Sequence, residues 1–238
     1  MNPVPGTMRA VFFDVGGTLV HVDHARIAQV IERELGRTVA VEAFVAAEYA
    51  GRAAQEAFIA TNPSSSDARR WDANFRGMLA AVGVAGADFE RCVPGILASH
   101  RERHLWSVVK PGTGEALDAL IAAGWFVGCV SNADGMVDQL LAGLGLLDRL
   151  QFVIDSGAVG IEKPDPRIFA LAVAKAGIPA AETYYVGDIH AIDVIGARAA
   201  GLSPVLLDPL GRYGDLGCRT TPDVVTFARE LVSLRDAA

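Results

Sequence analysis

Five short apolar runs, each stopped by a polar residue or glycine, constrain this chain more than any other feature. Ala10–Phe13 stops at Asp14, Trp125–Val130 at Ser131, Phe152–Ile154 at Asp155, Thr183–Val186 at Gly187-Asp188, and Pro204–Leu207 at Asp208. Runs this short, and apolar on both faces, read as strands of a buried parallel sheet. Helical patterns lie between the later ones, at Gly114–Ala123, Met136–Leu144, Pro166–Ala176 and Ala191–Ala200. Alternating strands and helices imply right-handed crossovers, with helices on both faces of the sheet. The expected class is α/β, a doubly wound and mostly parallel Rossmann-like sheet.

The first strand breaks the rhythm. Nearly ninety residues separate Val20 from the next strand, and they are rich in Ala, Glu and Arg. They predict helices near His24–Leu35, Val41–Ile59, Asp67–Val82 and Asp88–His104, broken at Gly36, at the Asn62-Pro63-Ser64-Ser65-Ser66 turn and at Gly83 to Gly86. This is an all-helical domain inserted after the first strand. The expected boundaries are residues 8–22 and 107–238 for the α/β core and 23–106 for the insert. A chain of 238 residues is long enough for a core plus an insert and needs no disulfide or metal to hold its fold.

Ligands of open α/β sheets sit beyond the carboxyl ends of the strands, where Asp14, Ser131-Asn132, Asp155, Asp188 and Asp208 would converge. Carboxylates crowded there repel one another, and a hard cation such as Mg2+ relieves the repulsion. The net charge of −7 argues against a nucleic-acid or anionic-membrane partner. No 18-residue apolar run predicts a transmembrane helix. Three cysteines without Cys-x-x-Cys spacing fit a reducing compartment, and a signal peptide is not expected, so the expected location is cytoplasmic. Only Lys110, Lys163 and Lys175 are lysines, so each lysine position is informative.

Four motifs occur in order. Phe12-Phe13-Asp14-Val15-Gly16-Gly17-Thr18-Leu19 follows the first strand, and Val130-Ser131-Asn132 ends the second. Lys163-Pro164 precedes a helix, and Gly187-Asp188-Ile189-His190-Ala191-Ile192-Asp193 follows a later strand. Together they resemble the haloacid dehalogenase-like hydrolase superfamily, in the branch with a helical cap inserted after the first motif. The resemblance implies a Mg2+-dependent phosphatase of a small phosphorylated molecule, working through an aspartyl-phosphate. It makes Asp14 the nucleophile and Lys163 the cation facing it. Thr18, Ser131 and Asn132 would hold substrate. Asp14, the Gly16 carbonyl and Asp188 would hold Mg2+, with Asp193 in support.

One position departs from the family pattern. Gly16 stands where phosphatases of the family usually carry a second Asp, which protonates the leaving group and activates water. General acid–base help of that kind contributes about 10²–10⁴-fold in rate, so a slow phosphatase is one expectation. His21, Asp23 and His24 are candidate substitutes for the missing proton shuttle, and acyl or aryl phosphates would need less help. A phosphonatase-like enzyme would need a lysine in the insert, and residues 21–106 contain none. A haloacid dehalogenase would generally lack the Gly187-Asp188 motif. The other class of reading is a non-catalytic or regulatory ligand-binding protein on the same scaffold. Three further signals read as ordinary structure. Pro111-Gly112-Thr113-Gly114 is expected to be a turn before a helix, Arg69-Arg70-Trp71 a solvated helix face, and His190 a loop histidine.

Overall fold

A computed structural model describes residues 8–236. In chain order its strands are β1 (Ala10–Phe13), β2 (His21–Val22), β3 (Trp106–Val108), β4 (Phe126–Ser131), β5 (Val153–Asp155), β6 (Thr183–Gly187), β7 (Ser203–Leu207) and β8 (Arg219–Thr221). Its helices are α1 (His24–Leu35), α2 (Ala43–Thr61), α3 (Asp67–Ala81), α4 (Ala87–Glu102), α5 (Thr113–Ala122), α6 (Val137–Gly143), α7 (Ser156–Val159), α8 (Pro166–Ala176), α9 (Ile195–Ala199) and α10 (Val224–Asp236). The chain divides into two compact units, one running to His21 and resuming at Val109, the other spanning Val22–Val108. These limits fall one and two residues from the boundaries expected from sequence.

The first unit is an α/β core. Its six strands lie in the order β5-β4-β1-β6-β7-β8, and every neighbouring pair is parallel. The connections leaving β1 and β4 run to one side, and those leaving β5 and β6 run to the other. Right-handed crossovers therefore put α5 and α6 on one face and α8 and α9 on the opposite face. Side chains alternate accordingly. Ala10, Phe12, Val130, Ile154 and Tyr185 pack with Ile168 and Phe169 of α8 and Ala197 of α9. On the other face Tyr184 meets Phe227 of α10 edge to face, at 5.5 Å. The chain reverses its winding between β1 and β6, which makes the carboxyl end of that strand pair the natural ligand crevice.

Capping fixes the helix that presents Lys163. Asp165 accepts the Arg167 N–H at 2.9 Å, Pro166 opens α8, and Gly177 closes it in a left-handed conformation. The second unit is helical. Ile27, Ile31, Phe44, Leu79, Val84 and Phe89 belong to its core. Here the Arg69-Arg70-Trp71 expectation needs correction. Arg69 is exposed and lies over the Phe58 ring, but Arg70 is buried against the Ser65 hydroxyl, and Trp71 packs edge to face on Trp106. Helix α3 packs closely along α2, where the Asn74 amide donates to Gln55 at 2.7 Å, while Trp71 turns to Phe75 and to Trp106 of β3. Among the described residues no helix is long and apolar enough to cross a membrane.

Candidate active site

The turns after β1 and β6 and the loop before α8 build one buried cluster in the α/β core. Asp14 follows β1 directly, and its N–H donates to the Val186 carbonyl of the neighbouring strand at 2.8 Å. The chain then folds tightly back, with the Gly17 N–H donating to Val20 and the Leu19 N–H to Val15. Gly17 makes that turn possible. Its φ is +79°, and a Cβ on it would lie 2.3 Å from Oδ2 of Asp188. The backbone of one motif therefore backs the carboxylate of another.

Lys163 is 2% exposed. Its ammonium donates to Oδ1 of Asp14 at 2.6 Å, to Oδ1 of Asp193 at 2.8 Å and to the Tyr185 hydroxyl at 2.9 Å. Burial opposes the charge on this ammonium, but the carboxylates of Asp14 and Asp193 outweigh it and hold its pKa well above the ordinary lysine value. Asp193 holds its own backbone as well. Its Oδ2 accepts the N–H groups of Asp188 and Ile189 at 3.1 and 3.0 Å. A π-helical turn, His190–Val194, carries it there before α9 begins, where a regular helix was expected. Gly187 is glycine because a Cβ would lie 2.3 Å from Cγ of Asp193.

One oxygen each from Asp14, Asp188 and Asp193 lies within 4.8 Å of the others, and all three residues are buried. Three carboxylates face one ammonium, an excess of two negative charges when all are ionised. Burial pushes the Asp14 carboxyl up and Lys163 pulls it down. Asp193 and Asp188 then push it up again, leaving it at about 8. A hard divalent cation offsets such an excess, and the donor set is all oxygen, which fits Mg2+. Asp193 is already engaged through both oxygens by Lys163, Tyr185 and two amides, so Asp14 and Asp188 are the carboxylates suited to hold the ion. Gly16 lies in the same turn, two residues beyond Asp14.

The other expected residues divide. Thr18 is buried, with its hydroxyl 3.5 Å from Oδ2 of Asp14. Ser131 ends β4 next to β1, where Phe13 stands opposite Cys129. The structure gives Asn132 a positioning contact, since it pairs with the Lys163 backbone, accepting its N–H at 2.7 Å and donating to its carbonyl at 3.1 Å. Asp155 and Asp208 end their strands but cap backbone instead of joining the cluster. Asp155 accepts the N–H groups of Gly157 and Val137, and Asp208 those of Arg212 and Tyr213. Among the candidate shuttles, Asp23 caps α1 and pairs with Arg103, and His24 stacks on Phe44 beside Glu48. His21 is buried in a cavity wall that also includes Thr18.

Tyr185 escaped the sequence reading. It is fully buried in β6, with its hydroxyl 3.0 Å from the Val130 carbonyl and 3.3 Å from Asp193. The available signal was a phenol in a strand apolar on both faces, because a buried tyrosine hydroxyl needs a partner.

The model of the haloacid dehalogenase-like hydrolase family matches residues 8–201. The haloacid dehalogenase-like hydrolase domain-containing protein 3 of Danio rerio is 34% identical over 103 residues, 43% of this chain and 42% of that protein. The chain thus matches less than half the length of that relative. A phosphoserine phosphatase of Thermus thermophilus is 30% identical over 226 residues, 84% of this chain and 89% of its own. The L-2-haloacid dehalogenase of Xanthobacter autotrophicus superposes with a TM-score of 0.61 at 20% identity, covering 93% of this chain and 97% of that one. At that identity the likeness is one of fold alone.

Proposed function

Because this chain belongs to the haloacid dehalogenase-like hydrolases, we propose that it is a Mg2+-dependent phosphatase of a small phosphorylated metabolite. The observation that carries the reading is the buried contact of Asp14 with Lys163 at 2.6 Å, beside Asp188. A carboxylate nucleophile facing an ammonium suits attack on phosphorus, and the second buried acid suits a divalent ion. The 30% identical phosphoserine phosphatase supports phosphate chemistry over dehalogenation.

In the first step an oxygen of Asp14 bonds to phosphorus, and the bond from phosphorus to the substrate oxygen breaks. Lys163 holds Oδ1 of Asp14, so Oδ2, facing Thr18, is the less engaged oxygen. The hydroxyls of Thr18 and Ser131 join Lys163 in stabilising the phosphoryl oxygens. Asp14, Asp188 and the Gly16 carbonyl would hold Mg2+, which would supply positive charge to offset that of the phosphoryl group. In the second step water bonds to phosphorus and the aspartyl-phosphate bond breaks, releasing phosphate and restoring Asp14. Asn132 and Asp193 act by positioning Lys163 and the Asp188 turn.

Gly16 offers no proton to the leaving oxygen, so turnover is slow with alkyl phosphates and faster with aryl or acyl phosphates. Of the shuttle candidates, His21 is the one in the core unit beside Thr18. The three free cysteines suit a reducing, cytoplasmic setting. Gly16 also favours a second reading, a ligand-binding protein without turnover.

The deciding experiment follows phosphate release from an aryl phosphate with Mg2+ and with EDTA, with halide release from 2-chloropropionate as a control. Mg2+-dependent phosphate release that disappears in Asp14→Asn supports the phosphatase. Halide release without phosphate release overturns it in favour of dehalogenation. Inactivity of both the wild type and Gly16→Asp favours the binding protein.

A further inference from the structure

The core unit holds a cavity of about 380 Å³ that shares Thr18 and His21 with the site above but whose Lys110, Thr113, Asp223 and Arg229 take no part in the reaction. Its wall includes Thr18, His21, Lys110, Thr113, Asp223 and Arg229. Helix α5 begins there at Thr113, after Gly112 in a left-handed conformation (φ +84°), and α10 begins there at Val224. A Cβ on Gly112 would lie 3.3 Å from a methyl of Val225, so the two amino-terminal ends are side by side. Each end carries partial positive charge.

At α10 that charge is already met, because Oδ1 of Asp223 accepts the Thr226 N–H at 2.6 Å. At α5 the capping residue is a glycine with no side chain to offer. Glu115 lies in the first turn of α5 but does not line the cavity. The Thr113 side chain, in a residue only 3% exposed, has no hydrogen-bond partner among the described residues. Neither the Lys110 ammonium nor the Arg229 guanidinium has an ion pair among them. Arg37, by contrast, is matched by Asp88 and Arg76 by Asp72 and Glu90, while exposed arginines without an acidic partner among the described residues, such as Arg91, Arg101 and Arg198, donate to backbone carbonyls instead.

We infer that Lys110, Thr113 and Arg229 form a second oxyanion site, shaped for a phosphate-type anion and distinct from the cluster around Lys163. The two exposed cations supply charge-assisted hydrogen bonds, and the Thr113 hydroxyl supplies a further donor. Thr18 joins this wall and stands 3.5 Å from Asp14, so the site adjoins the reacting centre without sharing its lysine. The faint glycine loop Pro111-Gly112-Thr113-Gly114 thereby gains a use.

The test is titration of inorganic phosphate into the 15N-labelled full chain, with EDTA present and ionic strength held constant with sodium chloride. Saturable shifts are expected at the amides of Gly112, Thr113, Gly114, Val225 and Thr226. Lys110→Met and Arg229→Met should each weaken binding about tenfold, the effect of losing one charge-assisted bond, and the double variant should abolish it. Both side chains are exposed, so these variants keep the fold. Thr113→Val should weaken phosphate binding while leaving the melting temperature unchanged or higher, whereas a purely structural hydroxyl would lower the melting temperature. The inference is overturned if no saturable shift occurs at these amides. It is equally overturned if the double variant binds as the wild type does, or if shifts are confined to residues 14–19 and the Lys163 loop.

Discussion

At the residue scale, the proposed slow turnover rests on Gly16. It is not among the left-handed glycines of the chain, unlike its neighbour Gly17, so an L side chain can occupy it without backbone strain. Gly16→Asp is therefore expected to raise kcat for aryl phosphate hydrolysis by about 10²–10⁴-fold, the usual worth of general acid–base help. Steady-state kinetics check this, and an unchanged kcat would mean that another group already moves the proton. Tyr185 tests the layer beneath. Tyr185→Phe removes a hydroxyl that meets Lys163 and the Val130 carbonyl, leaving a buried carbonyl unsatisfied. Denaturant unfolding should show a loss of about 1–3 kcal/mol, with a fall in kcat as Lys163 loses one of its three partners. Equal stability of wild type and variant would show that the phenol carries no load. That Asp14, Lys163, Asp188 and Asp193 come together was legible because their residue types and order follow a motif pattern. Tyr185 was not, because its role depends on which face of β6 it occupies and on how far Lys163 reaches across the sheet.

At the element scale, the apolar runs and the capping signals were the legible part. Helices α1 and α8 match their expected limits because Asp23 and Asp165 accept N–H groups at their starts while Gly36 and Gly177 turn left-handed at their ends. Helix α2 starts two residues later than periodicity suggested, where no side chain caps it. Strand β8, Arg-Thr-Thr at the sheet edge, has two exposed residues out of three and carries no apolar run to reveal it. The pair β2 and β3, two and three residues long, is likewise below the length at which alternation can be read. Pattern also could not tell a strand-end acid that caps backbone, as Asp155 and Asp208 do, from one that joins a cluster. The loop–loop tie made by Asn132 gives a prediction at this scale. Asn132→Ala frees the Lys163 backbone from β4 and should lower kcat/KM about tenfold or more through misplacement of the ammonium. The melting temperature should change by only a few degrees. Loss of stability with kcat/KM intact would make Asn132 a purely structural tie.

At the scale of the whole molecule, the acidic balance of the chain and the order of its strands meet at one place. The net charge of −7 is spread over the sequence, but the β1–β6 reversal gathers Asp14 and Asp188 at a single crevice and adds Asp193 through the turn into α9. Folding thus concentrates a repulsion that the unfolded chain does not have, and the metal-free protein carries it as a pH-dependent cost. The sign follows from Asp14. Its carboxyl is raised from 3.8 to about 8 by burial and by its acidic neighbours, against the pull of Lys163. A group bound to its proton more tightly when folded contributes stability that is complete below the unfolded value and is lost as pH rises towards the folded value. The metal-free wild type should therefore lose melting temperature between about pH 4 and 8 relative to Asp14→Asn, which keeps a neutral amide throughout. A bound cation replaces the proton and adds stability as RT ln(1 + [L]/Kd). Mg2+ should accordingly raise the melting temperature more at pH 8 than at pH 5 in the wild type, and by much less in Asp188→Ala. Thermal denaturation of the three proteins across that range, with Mg2+ and with EDTA, checks both halves. A metal-free wild type that parallels Asp14→Asn at every pH would remove the charge excess from the account, and an undiminished Mg2+ response in Asp188→Ala would place the ion elsewhere.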